Sequence, residues 1–457
     1  MKRLFGTDGI RGTAGVFPLD EPTIGRVGEA LARILLGRSK RPRVLIGRDT
    51  RESGAWIEES LARSVLDAGG EPVAAGVIPT AAVAYITASS GFDAGIMISA
   101  SHNPFNDNGI KIFSRDGFKL ADREEARIEA AVIEGETEPF PPDPAAGGGV
   151  RSRAGGLRVE EGVADSYRDH VIAVAGGVRL AGMTVVLDCA NGASYRTAPE
   201  VFRALGARVH AISDTPDGTN INSGCGSLSP EALCREVLER QADLGFAFDG
   251  DADRCILSDE RGAVCDGDFV LWRSALALRA EGRLPGDTVV GTVMSNLWLE
   301  RALSGKGIRL LRAPVGDKYV LEEMVRSGAR LGGEQSGHVI FMDHATTGDG
   351  IITAVMMAAI VRRASVRLSE WRSQVRPCPQ VLMNVRVGSR PDLGSHPVIG
   401  PAAESVRRQL GVAGRLLLRY SGTEPLVRVM IEGEDPEVVA RLARGLAGVI
   451  ESEIGER

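Results

Sequence analysis

A chain of 457 residues exceeds what one hydrophobic core usually holds; at about 150 residues per domain it reads as roughly three domains. Hydrophobic residues at 43% and charged residues at 25% are ordinary for a globular protein in water. Fifty-four basic against sixty acidic residues give a net charge of −6, which argues against a nucleic-acid surface and requires that any anionic ligand be held by a local basic cluster. No apolar run is long enough to cross a bilayer, and the start, Met1-Lys-Arg-Leu-Phe-Gly-Thr-Asp-Gly, lacks the apolar centre of a signal peptide. The six cysteines (Cys189, Cys225, Cys234, Cys255, Cys265, Cys378) show no Cys-x-x-Cys spacing, so neither a zinc site nor a disulfide framework is expected. The expected setting is the cytoplasm, with neither nucleic acid nor membrane as partner.

In chain order, Gly6-Thr-Asp-Gly-Ile-Arg-Gly12 is too glycine-rich for a helix and suits a loop that approaches a ligand; Arg11 sits in it. A helical pattern runs from about Pro22 to Leu36, then the apolar strand Val44–Ile46 ends in Gly47-Arg-Asp49. A helix near Ala55 to Leu66 and a strand around Val73 to Val77 follow. Strands alternating with helices imply a mainly parallel sheet covered on both faces. Ala94 to Ile98 reads as a buried strand that breaks at Ser101-His-Asn-Pro104, and a strand pattern resumes at Ile110 and Ile112 around Lys111. A hydroxyl beside an imidazole on a tight loop after a buried strand is where α/β proteins place chemistry, although Ser101 capping a turn explains it as well. No Gly-x-Ser-x-Gly elbow is present, so an acyl-transfer serine is not indicated.

The Pro- and Gly-rich stretch 139–156 reads as a linker. A second α/β unit contains the strand Met183–Asp188, the polar loop Pro216-Asp-Gly-Thr-Asn-Ile-Asn222 and the strand Leu244–Phe248, which runs into Asp249-Gly-Asp-Ala-Asp-Arg254. A third places a helix near Asp268 to Arg279, a turn Gly316-Asp-Lys318 and the loop Gly332-Gly-Glu-Gln-Ser-Gly-His338. From about Trp371 few strands and a hairpin-like turn suggest a small antiparallel α+β domain. The expected fold is therefore α/β with four domains: three mixed α/β sheet domains (1–157, 158–253, 254–370) and a C-terminal α+β domain (371–457), arranged around a central cleft.

Asp249, Asp251 and Asp253 repel one another unless a cation sits among them, and oxygen-only ligands suit Mg²⁺ or Ca²⁺. Glu260 falls at the twelfth position counted from Asp249, as in an EF-hand loop. Arg254, however, stands where that loop needs Gly, and a strand pattern precedes it. Mg²⁺ is preferred because it is usually held by few carboxylates plus a phosphate oxygen. Glu334, Ser336 and His338 on a Gly-rich turn fit neutral hydroxyl groups as readily as they fit ordinary loop chemistry. Arg419, Ser421, Gly422, Thr423 and Arg428 read either as a hairpin turn or as an anion cradle, since guanidinium meets phosphate bidentately.

Ala100-Ser-His-Asn-Pro104 resembles the phosphoserine signature of the α-D-phosphohexomutases, which move phosphate between positions 1 and 6 of a hexose. Asp-Gly-Asp-x-Asp-Arg, Gly-Glu-x-Ser-Gly and Ser-Gly-Thr-x-Pro follow in that family's order, so the resemblance covers nearly the whole chain. It implies that Ser101 carries the transferable phosphate and that Ser101 with Asp249, Asp251 and Asp253 holds one Mg²⁺. Glu334 and Ser336 would reach the sugar, with Arg254 and His338 as further substrate contacts, and Arg419, Ser421, Gly422, Thr423 and Arg428 would bind the non-reacting phosphate; Lys318 in its Gly-Asp-Lys turn reads either as a surface lysine or as a further substrate phosphate contact. Ser101, His102, Lys111 and Arg11 would be catalytic, with His102 or Lys111 as general acid–base and a hexosamine 1,6-bisphosphate as intermediate and activator. The opening motif, Asp217–Asn222 and Gln335 look most like the bacterial amino-sugar branch, which interconverts glucosamine 6-phosphate and glucosamine 1-phosphate. Tyr420 departs from the pattern, a shorter or basic residue being expected before Ser-Gly-Thr. Mannose or glucose phosphates as substrates, a phosphoserine-dependent sugar phosphatase, and a Ca²⁺-binding module are the alternatives; a monomer and a homodimer are both open.

Overall fold

In the computed structural model, which describes residues 4–6, 8–133, 162–421 and 424–456, the first helix, Glu21–Leu36, begins where its cap allows. The Asp20 carboxylate accepts the Thr23 N–H at 2.9 Å and Pro22 occupies the first turn, where its missing donor is not needed. Ile24, Val27 and Leu31 recur along one buried stripe. They pack on Val44, Ile46, Ile96, Ile98, Ile110 and Ile112, which alternate toward the same face of a six-stranded sheet. That sheet has the order Phe5–Gly6, Gly9–Thr13, Asp107–Ser114, Ala94–Ile98, Arg43–Arg48, Glu71–Val77. Only among the last three are neighbouring strands paired in parallel. The sequence suggests a mainly parallel sheet; instead Asp107–Ser114 returns antiparallel to Ala94–Ile98, because the loop 99–106 is too short for a crossover helix.

The second sheet, Val264–Cys265, Cys255–Asp259, Leu244–Phe248, Thr184–Asp188, Arg208–Ile212, repeats the device. Leu244–Phe248 is parallel to Thr184–Asp188, and Cys255–Asp259 folds back antiparallel on it through the aspartate loop. The expected boundary at 253/254 falls inside this hairpin. A third sheet contains Arg309–Ala313, Thr288–Thr292, Leu331–Gly333 and Val339–Phe341. The C-terminal sheet, Gln380–Arg386, Leu426–Glu432, Arg415–Tyr420, is antiparallel throughout, as its few strands and hairpin turn suggest. Packing divides the chain into two units, Met1–Thr292 with Leu311–Arg372, and Val293–Leu310 with Ser373–Arg457. The linker read at 139–156 and the boundary at 157/158 lie outside the described residues. Among those residues no helix is long and apolar enough to cross a membrane.

One long helix has no counterpart in the sequence reading. Gly350–Ala364 is apolar on nearly all sides and buried from Gly350 to Val361, so no stripe of 3.6-residue period marks it. Asp349 caps it, accepting the Ile352 N–H at 2.9 Å and the Tyr167 hydroxyl at 2.9 Å, and burial pushes this carboxyl up to about 6. A carboxyl with a raised folded-state pKa binds more protons folded than unfolded. Its favourable contribution is complete below about pH 4 and is lost as pH rises through about 6. Asp349→Asn keeps the cap and cannot ionise. Its stability relative to wild type should therefore improve by about 3 kcal/mol between pH 4 and pH 7 in denaturant titrations. A difference that does not move with pH would show that the carboxyl titrates normally.

Candidate active site

The strand Ala94–Ile98 is fully buried, and its C-terminal end delivers Ser101 to a loop where the serine backbone takes φ 54°. That left-handed conformation costs a non-glycine residue about 1–2 kcal/mol, so other contacts hold it there. The Ser101 hydroxyl donates to Asp249 Oδ2 at 2.6 Å and lies 3.3 Å from His102 Nδ1. The aspartate loop meets it closely: a Cβ on Gly250 would stand 2.6 Å from the Ser101 carbonyl oxygen, which explains glycine between the first two aspartates.

Asp249, Asp251 and Asp253 are all buried, with one oxygen from each lying within 4.8 Å of the others. Arg254 N–H donates to Asp249 Oδ1 at 3.1 Å, while Asp251 Oδ2 accepts Thr80 Oγ1 at 2.6 Å and Lys111 Nζ at 2.9 Å. Oδ1 of Asp251 and Oδ1 of Asp253 are buried with no hydrogen-bond partner among the described residues. Orphaned buried carboxylate oxygens next to a serine hydroxyl are the donor set a hard cation takes, so these residues fit a divalent metal. Burial, with Asp253 and Asp251 beside it, raises the Asp249 carboxyl well above its usual range.

Cations surround this acid. Lys111, 1% exposed, also reaches Asp253 at 3.2 Å and Asp8 at 3.3 Å. Burial alone would lower its pKa, but Asp251, Asp8 and Asp253 outweigh that and raise it well above the normal value. Arg11 pairs with Asp8 and donates to the Ala100 carbonyl at 3.4 Å. Burial drives the His102 imidazole down to about 4, with Arg254 and Arg11 adding to the effect. His338 behaves oppositely: burial pulls it down, yet Asp253, 3.6 Å from its Nδ1, together with Asp317 and Glu334 raises its pKa.

Glu334 follows the strand Leu331–Gly333. Its carboxylate accepts the Gly316 N–H at 2.9 Å and the Ser336 hydroxyl at 3.3 Å, so the two candidate sugar contacts are paired. The Gln335 amide donates to Asp266 at 3.0 Å, which makes it a brace between this loop and the cap of the helix Gly267–Ala280. The Lys318 ammonium is paired with Asp122.

In the C-terminal unit Arg419 and Arg428 stand directly opposite each other on adjacent strands. Nε of each is buried without a partner among the described residues, and burial with the neighbouring Arg428 charge lowers the Arg419 pKa. Ser421 is 2% exposed and its hydroxyl accepts the Glu424 N–H at 3.3 Å; Gly422 and Thr423 lie outside the described residues. Tyr420 turns to the opposite face, packs on the core and donates its hydroxyl to the Pro391 carbonyl at 2.6 Å, so the larger side chain does not crowd the arginines.

Asp8, Thr80, Lys119 and Asp317 escape the sequence reading, and they complete the network. Lys119 bridges Asp8 and Asp317, although burial opposes its charge. The Asp8 carboxyl lies well below its usual range because Lys111, Lys119 and Arg11 overcome the burial that would raise it. Nothing in the spacing of these four marks them; only folding brings them together.

All four domains described as phosphoglucomutase/phosphomannomutase match this chain. Alpha/beta/alpha domains I, II and III match residues 2–139, 165–262 and 266–378, and the C-terminal domain matches 382–449. A phosphoglucosamine mutase of Solibacter usitatus is 49% identical over 455 residues, covering 100% of both chains. One from Moorella thermoacetica is 47% identical over 98% of this chain and 99% of its own. Among solved structures, a phosphoglucomutase/phosphomannomutase family protein of Burkholderia thailandensis superposes with TM-score 0.78 at 23% identity, covering 99% of this chain and 98% of that one. The Aspergillus fumigatus N-acetylphosphoglucosamine mutase, in complex with GlcNAc-6P and magnesium, gives 0.67 at 17% identity over 99% and 96%.

The orphaned oxygens make a direct prediction. Mg²⁺ or Mn²⁺ added to chelator-treated protein should raise its melting temperature, and Asp251→Asn, which removes one charge from the cation's shell, should abolish that rise. An equal rise in the variant would place the cation elsewhere.

Proposed function

The chain belongs to the phosphoglucomutase/phosphomannomutase family, and we propose from that premise that it interconverts glucosamine 6-phosphate and glucosamine 1-phosphate in the cytoplasm. The observation that carries the reaction type is the Ser101 hydroxyl bonded into a buried cluster of three carboxylates. The hydroxyl itself is a good donor to a carboxylate, but a phosphoryl group placed on it would add negative charge that a cation among those carboxylates would have to neutralise. The amino-sugar substrate rests on the full-length relatives, because Gln335 is taken up by Asp266 and gives no direct reading of the sugar.

Ser101 would carry the phosphoryl group, with about −1.5 to −2 charge. Ser101, Asp249, Asp251 and Asp253 would hold Mg²⁺, which when bound neutralises charge on the transferring phosphoryl oxygens. Arg254, Lys111 and Arg11 provide fixed positive charge on the same side. The free hydroxyl of the phosphosugar attacks phosphorus, the Ser101 O–P bond breaks, and the hydroxyl proton leaves to a base. This gives the hexosamine 1,6-bisphosphate, which turns end for end and returns its other phosphate to Ser101. The same bisphosphate would load Ser101 initially. The Lys111 ammonium is already committed to Asp251 and Asp253, whereas the His102 ring is 3.3 Å from Ser101 Oγ with no carboxylate bonded to it, which favours His102 as the base. Glu334, Ser336, His338 and Lys318 would contact the sugar phosphate. Arg419, Ser421, Gly422, Thr423 and Arg428 would take the phosphate that is not transferring.

The deciding measurement is kcat/KM for glucosamine, mannose and glucose 6-phosphates with the matching bisphosphate supplied. The amino sugar should be used best, and Ser101→Ala should be inactive with each. Label from the bisphosphate should appear in the monophosphate; its release as inorganic phosphate would make the protein a phosphatase. Mannose or glucose phosphate matching the amino sugar would overturn the substrate and leave the reaction standing.

The paired arginines yield a separate outcome. Arg419→Ala removes a charge-assisted contact worth about 1.5–3 kcal/mol, so KM should rise about 10- to 150-fold for both 1- and 6-phosphates. A rise for one orientation alone would contradict a single cradle serving both ends.

A further inference from the structure

Arg51 touches neither the carboxylates of the aspartate loop nor the Ser101 hydroxyl, yet it is among the largest fully buried side chains of the molecule. Its guanidinium has five N–H donors, and every one is used. Nε donates to Asp49 Oδ2 at 2.9 Å, Nη2 to the carbonyls of Ser101 and Asn103 at 3.0 and 2.8 Å, and Nη1 to those of Asp107, at 2.9 Å, and Pro104. Four of the five therefore end on backbone oxygens of the serine loop.

The peptides on both sides of Ser101 are fixed in this way. Ahead of it, the Ser101 N–H donates to Ser99 Oγ at 2.9 Å, and that hydroxyl donates to Asp49 Oδ2 at 2.6 Å, the same oxygen that holds Arg51. Behind it, the Ser101 carbonyl accepts both Arg51 Nη2 and Asn222 Nδ2, the latter at 2.9 Å, which fills its two lone pairs. With both peptide planes held, the φ of 54° that aims Oγ at Asp249 has no freedom to relax. We propose that Arg51 is the positioning residue that holds Ser101 in its left-handed conformation, with Asp49 and Ser99 on one side and Asn222 on the other. The inference rests on Ser101 as the phosphoryl carrier. Lysine offers three donors from one point and cannot supply a fork directed at four carbonyls, so charge alone does not substitute.

Arg51→Lys, compared with wild type, tests this by two readouts. Amide hydrogen exchange over residues 99–107 should accelerate while the rest of the first unit keeps its protection. kcat should fall about 100-fold with KM for the phosphosugar unchanged, because a displaced nucleophile slows transfer without touching the substrate's contacts. Retention of the melting-temperature rise with Mg²⁺ would show that the aspartate loop is intact. If Arg51→Lys does not fold, Asn222→Ala loosens the same carbonyl and should move both readouts in the same direction by less. Wild-type kcat with unchanged exchange in the loop would overturn the proposal, as would a loss confined to KM. Should the wild type itself show no mutase turnover, the proposed reaction falls, and exchange over 99–107 alone still decides whether Arg51 holds the loop.

Discussion

Three carboxylates crowded into a buried loop are the constraint on which the first unit depends. Two like charges about 4 Å apart repel by about 4 kcal/mol even at an effective dielectric constant of 20. Asp249, Asp251 and Asp253 are moreover too buried to be relieved by water. The fold answers with a cation that is itself buried. Lys111 lies on Asp107–Ser114, the strand that folds back beside Ala94–Ile98 with Met97 opposite Lys111. The hairpin that presents Ser101 at its turn therefore also carries the ammonium that partly neutralises Asp251 and Asp253, the two carboxylates beside the serine's acceptor Asp249. The Ser101 hydroxyl and this counter-charge share one hairpin, so neither can drift from the other.

That ammonium is only the first link in an alternating series. Asp8 stands between Lys111, Lys119 and Arg11, and Lys119 passes the charge on to Asp317. Asp317 follows Gly316, whose N–H is held by Glu334. A continuous run of ion pairs and hydrogen bonds thus joins the aspartate loop to the Glu334 turn. Lys111 is buried and the charges beyond it are part-buried, so removing one leaves its neighbours poorly compensated rather than deleting a single contact. His338 closes the run from the other side, its proton favoured by Asp253 and Asp317 against the burial that opposes it.

The sequence makes legible what is local. The aspartate triad, the serine loop and the Glu334 turn are each continuous stretches at strand ends, and each sits where strand-to-loop breaks in the sequence place it. The helical pattern from Pro22 to Leu36 is legible in the same way, and the structure adds Asp20 as its cap. What stays hidden is whatever depends on distance. Asp8 and Lys119 look like surface charges until the sheet places them 111 residues apart in sequence and in contact in space. Arg51, three residues beyond a strand, reads as an ordinary loop arginine, because its acceptors are carbonyls and carry no residue signature. The helix Gly350–Ala364 is hidden for the opposite reason: buried on all sides, it has no polar face to set against an apolar one. The antiparallel return of Asp107–Ser114 follows from a loop length that matters only once the strand ends are known.

The C-terminal sheet shows by internal contrast how a fold leaves charge for a ligand. Its two strands Arg415–Tyr420 and Leu426–Glu432 carry arginines on the face opposite the core. At one end Arg415 lies across from Glu432, and its Nε and Nη2 donate to that buried carboxylate at 2.9 and 2.6 Å. At the other end Arg419 lies across from Arg428, the pairing a sheet normally avoids, with a buried Nε on each side left without an acceptor among the described residues. Glu424 reaches Arg428 only at 3.4 Å and from an exposed position. The same two strands thus give one arginine a buried carboxylate and withhold one from the other two. Stability alone would favour a carboxylate in place of Arg428. Two opposed guanidiniums with unused donors instead suit a doubly charged anion, and the Ser421 hydroxyl, which accepts the Glu424 N–H, keeps its own proton to donate beside them.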